Sequence, residues 1–277
     1  MTPQEMLARL LYRDGLMLVI DKPAGFAVHR GPKGGASLED YFGALRFGLP
    51  RDPALAHRLD KDTSGCLVLG RHRKALALLG KLFKQGKIGK CYWAVVQGSP
   101  EAEEGRIDIP LGKLDETRGW WMKPDPHGAP AVTTWKAMGR ANGFTWLALE
   151  PLTGRTHQLR VHCAEMGWPI LGDSIYGSAA RNSVSLGGAR FQAEWAPVGR
   201  PESAQIQKMG ARSDAKPVPT FAERAPALHL HSREIVVPIS KNKPAVKVTA
   251  PVPAHMREAL RACGWKEDAD AASKAAP

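Results

Sequence analysis

The sequence predicts a domain that mixes many short strands with few helices. Apolar runs of strand length succeed one another at short intervals, each closed by proline or glycine, and short successive strands favour antiparallel pairing. Helical periodicity is confined to a few segments. With 277 residues, 43% of them hydrophobic, the chain can bury a sizeable core in one large domain or two smaller ones.

Leu16 to Ile20 reads as a buried strand that stops at Asp21-Lys22-Pro23-Ala24-Gly25, where proline and glycine force a turn. Ser37 with Asp40 three residues on is a capping-box start for a short helix through about Phe47. The strand Cys66 to Leu69 gives way to Lys74 to Lys84, whose apolar spacing fits an amphipathic helix with lysines outside. Further strands are expected at Lys90 to Val96, Arg106 to Ile109, Val132 to Met138 and Phe144 to Leu149. Thr156 to Met166 reads as a helix stopped by Gly167, and later strands fall at Leu228 to Val237 and Val246 to Thr249. Residues 178–227 form a long stretch rich in glycine, alanine, serine, arginine and proline, expected as an insertion. The tail 266–277 is alanine-rich and charged without an apolar stripe, and is expected to be disordered.

The formal net charge of +12 suits a polyanionic partner, because lysine and arginine contacts to phosphate supply most of the sequence-independent affinity for nucleic acid. Cysteines 66, 91, 163 and 263 form no C-x-x-C pair, which argues against a zinc ribbon or a redox dithiol and fits reduced thiols in the cytoplasm. No window approaches the roughly 18–20 apolar residues that span a bilayer, so neither export nor membrane insertion is expected.

Three constellations carry chemistry. In His57-Arg58-Leu59-Asp60-Lys61-Asp62-Thr63-Ser64-Gly65 a carboxylate sits beside basic groups at the mouth of an apolar strand, where a buried strand cannot easily hold polar residues. Gly154-Arg155-Thr156-His157-Gln158-Leu159-Arg160 opens a helix with closely spaced cations at an end that favours anions. Either arginine, placed next to Asp60, would favour the charged carboxylate that a nucleophile requires. Tyr92 supplies a ring that can stack on a base and a hydroxyl that can bond. Taken singly, each has a plain structural reading: a basic surface helix with a buried histidine, or an ordinary core aromatic.

The ordered blocks DKPAGFAVH (21–29), HRLDKDTSG (57–65), KCYWAVVQG (90–98) and PLTGRTHQLRVHCAEMGWPILGDSIYG (151–177) closely resemble those of the RluA family of RNA pseudouridine synthases. Residues 228–231, LHLH, continue the match. The resemblance implies an α+β, pseudouridine synthase-like fold over residues 1–265, with a mixed, mainly antiparallel central sheet and an active-site cleft across it. It implies Asp60 as nucleophile, Tyr92 over the target base and Arg160 as the ion-pair partner of Asp60. Arg58 is similar to an arginine that fills the gap left by a flipped-out uridine, and His57, Lys22, Arg155, His157 and Lys90 are the further RNA contacts it suggests. The implied reaction turns a uridine of ribosomal or transfer RNA into pseudouridine, without metal or other cofactor, in a cytoplasmic monomer with no DNA or membrane partner. The lysine-proline-glycine block begins almost at once, so a stand-alone form without an S4-type domain is expected. RNA recognition is then expected from the catalytic domain itself or from the insertion.

Two rivals differ in class. Asp60-Lys61-Asp62-Thr63 matches the D-x-D-x-T loop of haloacid-dehalogenase-type phosphatases, with Gly172-Asp173 as a later metal site. That reading needs an apolar strand before Asp60, yet Ala56-His57-Arg58-Leu59 is polar. A non-catalytic RNA-binding protein would satisfy the charge but has no need for Asp60, Tyr92 and Arg160 together. Trp120 and Trp121 are read as buried anchors rather than base-stacking platforms.

Overall fold

The structure is a computed structural model and describes residues 1–31, 34–114, 121–177, 227–240, 242 and 244–267. The expected insertion, apart from Ala227, the tail from residue 268 and Trp120 lie outside the described residues.

In chain order the elements are α1 (Pro3–Leu7), β1 (Leu10–Arg13), β2 (Met17–Lys22), a 3-10 helix (Leu38–Leu45), β3 (Ala54–Leu55), β4 (Ser64–Gly70), α2 (Arg73–Lys84) and β5 (Gly89–Gln97). Then follow β6 (Glu104–Asp108), β7 (Leu111–Lys113), β8 (Met122–Pro124), β9 (Val132–Ala141), β10 (Phe144–Pro151), α3 (Gln158–Glu165), β11 (Leu230–Val237), β12 (Val246–Thr249) and α4 (Ala254–Ala262). Every strand and helix expected from the sequence is present within the described residues, with two adjustments. The segment after Ser37 winds as a 3-10 helix, its start held by the Ser37 amide donating to Asp40 Oδ2 at 2.8 Å. Helix α3 begins two residues late, because His157 takes a left-handed conformation (φ 52°) that no α-helix continues.

Ten strands form one α+β sheet in the order β1-β2-β4-β11-β5-β10-β9-β6, with β12 also on β11 and β3 also on β4. All its pairings are antiparallel except β4 with β11, which run parallel over only two partner pairs, His231 with Ser64 and Ser232 with Gly65. This short seam joins two antiparallel halves, and Gly65 explains its closeness. Its φ of +103° is in glycine territory, and a Cβ there would overlap the carbonyl of Ser232.

Alternation along the strands sends side chains to opposite faces. From β5, Tyr92, Ala94 and Val96 enter the largest core with Leu67, Leu69, Leu147, Leu149 and Leu159, covered by α1, the 3-10 helix and α3. On the other face α2 packs Leu79 and Leu82 against Val19, Val68 and Ile235, while α4 packs Met256 and Leu260 against Val95 and Trp146. Periodicity alone does not reveal the two- and three-residue strands β3, β7 and β8. Helix α4 is different, since Met256, Ala259, Leu260 and Cys263 repeat at helical spacing and could have been read.

Candidate active site

Eight of the nine side chains singled out above, all but Lys22, line one cleft of about 790 Å³. Asp60 lies in the loop between β3 and β4, four residues before the parallel seam, and its side chain is 25% exposed. The loop turns tightly, with the Thr63 amide donating to the Asp60 carbonyl at 3.2 Å. Beneath it Lys22 is fully buried, and its ammonium donates to the carbonyls of Pro23, Lys61 and Thr63, each at 2.8 Å. The expected RNA contact at Lys22 is therefore corrected: all three of its donors are engaged inside the protein, where they fasten the Asp60 loop to the end of β2. Burial lowers its pKa to about 7, against the pull of Asp62 and Asp60.

Arg160 reaches into the cleft from the first turn of α3, with Nη1 at 4.0 Å from Asp60 Oδ2. Its shorter bonds go elsewhere. Nε and Nη2 donate to the two carboxylate oxygens of Asp173 at 2.7 and 2.8 Å, a bidentate pair in which both side chains are almost wholly buried. Asp173 also accepts from the amides of Ile175 and Tyr176. Burial alone would raise the Asp173 pKa, but the bonds and charge of Arg160, with those amides, outweigh it and hold the carboxyl below its usual range. The family motifs imply Asp60 as the partner of Arg160. The structure keeps that contact at 4.0 Å and makes Asp173 the group that fixes the guanidinium.

His157 is the other neighbour of Asp60, with Nε2 at 4.0 Å from Oδ2. Its Nδ1 bonds the Tyr176 hydroxyl at 2.9 Å, and that hydroxyl accepts the Met122 amide at 2.9 Å. Tyr176 also lies under the Arg160 guanidinium, 5.2 Å from ring centroid to Cζ. Burial lowers the His157 pKa, opposed by Asp60 and reinforced by Arg160. The strained backbone of His157 is a cost that its surroundings must offset, a pattern common at functional sites.

The start of α3 is locked by a polar chain. Gln158 Oε1 accepts from Thr153 Oγ1 and the Arg155 amide, and its Nε2 donates to the Val132 carbonyl and Thr133 Oγ1. Thr133 bonds His162 Nδ1 at 2.9 Å, and His162 Nε2 donates to the Ile109 carbonyl. A network satisfied at each of these atoms fixes Arg160 relative to β9 and β10.

Tyr92 stands on β5, 8% exposed at the cleft, with burial and then the charge of Asp60 among the causes that raise its phenol pKa. Arg58 is exposed at the rim. Arg155 is exposed and donates through Nε to the Pro130 carbonyl, and Lys90 reaches the Thr153 carbonyl at 3.4 Å. His57, expected as an RNA contact, serves the fold instead. Its Nε2 accepts the Val68 amide at 3.0 Å while the ring stacks on Phe83 at 4.6 Å. Burial, then Lys90, lowers its pKa to about 3. Sequence reasoning missed Asp173 and Tyr176 as members of this site, although both sit in the block GDSIYG that carried the resemblance.

The phosphatase rival fails on the same geometry, because the carboxylate it needed for a metal, Asp173, is bonded to Arg160 through both oxygens. What the arrangement offers is a carboxylate between a fixed guanidinium and an imidazole, facing a cleft large enough for a nucleoside and walled by a neutral phenol. Such an arrangement can support acid-base or nucleophilic chemistry with charge stabilisation.

The profile of the RNA pseudouridylate synthase family matches residues 16–165, more than half the chain. An RNA pseudouridine synthase of Zymomonas mobilis, itself described as uncharacterized, is 46% identical over 64% of this chain and 82% of its own length. The ribosomal large subunit pseudouridine synthase C of Buchnera aphidicola is 38% identical over 62% of this chain, which spans only 55% of that relative. Human RNA pseudouridylate synthase domain containing 4 superposes with a TM-score of 0.69 over 96% of both chains at 24% identity, a likeness of fold. The chain belongs to the RNA pseudouridylate synthase family, and its class is that of the isomerases that act on RNA.

Proposed function

We propose that the protein converts a specific uridine of structured RNA to pseudouridine, with Asp60 as the nucleophile acting on a flipped-out nucleotide. The observation that carries the reading is the position of Asp60, partly exposed on the cleft and 4.0 Å from both Arg160 Nη1 and His157 Nε2. The bond from uracil N1 to ribose C1' breaks, the base turns, and C5 bonds to C1'. The proton lost from C5 is balanced by one gained at N1. Asp60 acts either by attack at C1' or by assisting a glycal intermediate, and both routes need a carboxylate beside fixed positive charge in a site shielded from water. Tyr92 lies over the base, and Arg58 at the rim fills the gap in the stack. Ribosomal RNA is the first substrate to test, on the strength of the Buchnera relative's name, with transfer RNA beside it. Four unpaired cysteines suit the cytoplasm.

The test is pseudouridine mapping by carbodiimide modification and primer extension, on total RNA from a deletion strain rescued with wild type or Asp60→Ala. A site lost on deletion and restored by wild type alone is the expected result. The variant's rate should fall more than about a thousandfold with RNA binding nearly intact. Full restoration by Asp60→Ala would overturn the role of Asp60.

A further inference from the structure

The strongest charge feature outside the site is helix α2. No aspartate or glutamate occurs between Asp62 and Glu101, a span that holds Arg71, Arg73, Lys74, Lys81, Lys84, Lys87 and Lys90. At about 100° per residue, Arg73, Lys74, Lys81 and Lys84 fall within an arc of roughly 120°, opposite the buried Ala75, Leu79 and Leu82. The same arc holds the exposed Ala77 and Gly80, small residues that leave the helix backbone open to close approach.

Three contrasts set this face apart from ordinary basic surface. Elsewhere Arg30, Arg46, Arg106, Arg140, Arg257 and Arg261 each meet a carboxylate, whereas the exposed Arg51, Lys113, Lys123 and Lys136 meet none among the described residues. Among the described residues, Arg73, Lys74, Lys81, Lys84 and Lys87 meet none, although all five are exposed. Arg73 and Lys74 also stand in the first turn without an acidic residue, at the end where the helix dipole disfavours cations. And the face is continuous with the candidate active site, since Phe83 and Lys84 line the same cleft as Asp60.

We propose that this face of α2 docks the double-stranded RNA that flanks the target uridine, a proposal that rests on the RNA reading above. From Lys84 at the cleft to Arg73 the helix runs about 16 Å, the length of a few successive phosphates of one strand. The cationic arc carries no aromatic side chain. Single strands are held by stacking platforms as well as charge, whereas A-form duplexes are recognised through backbone and shape, so cations without rings select the duplex. The target base then enters the cleft from the helical end that α2 supports.

The test uses the full chain with Arg73→Gln, Lys74→Gln and Lys81→Gln combined. Lys84 is left intact because it lines the cleft, and glutamine keeps the helix propensity. The probes are a perfect RNA duplex of about 20 base pairs and a single-stranded oligouridylate of equal length, titrated by fluorescence anisotropy at about 50–200 mM salt. A control variant replaces the paired Arg30, Arg106 and Arg140 with glutamine and so loses the same charge. The expected result is a log-log salt slope for the duplex that falls by about two to three in the α2 variant. The slope should stay near wild type for oligouridylate, and in the control for both probes. An unchanged duplex slope, an equal loss on both probes, or an equal loss in the control overturns the proposal. Because these arms read binding alone, they decide it even if no RNA is modified by the wild type. Where modification is seen, the α2 variant should raise KM for structured RNA and keep kcat.

Discussion

On one side of the Asp60 cleft, Arg160, Asp173, Tyr176 and His157 hold one another through bonds of 2.7–3.0 Å, apart from a 3.4 Å contact between Arg160 and His157, with Arg160 and His157 at an α3 start pinned by Gln158. On the other, Lys84 leads out along a helix whose cations meet no carboxylate among the described residues. The first wall trades charge for position: Arg160 is neutralised by Asp173 and gains a single orientation toward Asp60. The second keeps its charge and gives up position, which suits a partner whose phosphates form a repeating, exposed line. Placement and attraction are thus divided between two elements of the same cleft.

The substitution that bears hardest on this contrast is Asp173→Asn. It keeps the shape and removes the charge, leaving a buried guanidinium with a weakened partner. Unfolding free energy in urea should fall by about 3 kcal/mol, and turnover by roughly a hundredfold as the Arg160 head loses its fixed direction. The triple α2 variant should leave the urea midpoint unchanged. Wild-type stability in Asp173→Asn would mean that the first wall is no more interlocked than the second.

Lys22→Met asks whether the floor of the cleft belongs with the locked wall. The buried Thr63 carbonyl and the part-buried carbonyls of Pro23 and Lys61 would lose their donor, so stability should drop by about 2 kcal/mol in the same titration. Salt slopes for RNA binding should not move, because Lys22 presents no charge to solvent. A reduced slope would reinstate it as an RNA contact.

Much of this was legible in the sequence because strands with apolar alternation, such as β4 and β5, and the amphipathic α2 are determined locally. The positions of Asp60, Tyr92 and Arg160 on one cleft followed from ordered motifs. What the sequence hid were choices made across the fold. Nothing local tells that Lys22 turns inward to carbonyls from residues 39 and 41 positions away, or that Arg160 spends its bidentate face on Asp173 rather than on Asp60. His57 is expected among the RNA contacts beside Arg58. It became a backbone acceptor because Val68, eleven positions on, needs a partner for its amide. The parallel seam between β4 and β11 pairs residues separated by 167 positions, beyond the reach of any periodicity.

The smallest effect expected separates the buried interior from the α2 face by pH. Burial, the largest cause for each, depresses the pKa of His57 and His231 to about 3 and of His229 to about 4, against an ordinary value of 6.5. At these three histidines the folded state therefore binds fewer protons than the unfolded chain below pH 6.5, while Asp21, raised by burial to about 6, acts in the opposite sense. The histidines' contribution to stability is fully present above pH 6.5 and is lost progressively as pH falls toward the folded values. Thermal midpoints measured from about pH 7 to 5 should decline, and His231→Gln should flatten the decline by removing one of the contributing histidines. The α2 lysines and arginines stay charged throughout, so the duplex salt slope should hold constant over the same range. A slope that moved with pH would assign part of the RNA attraction to histidines and dissolve the division between the interior and the α2 face.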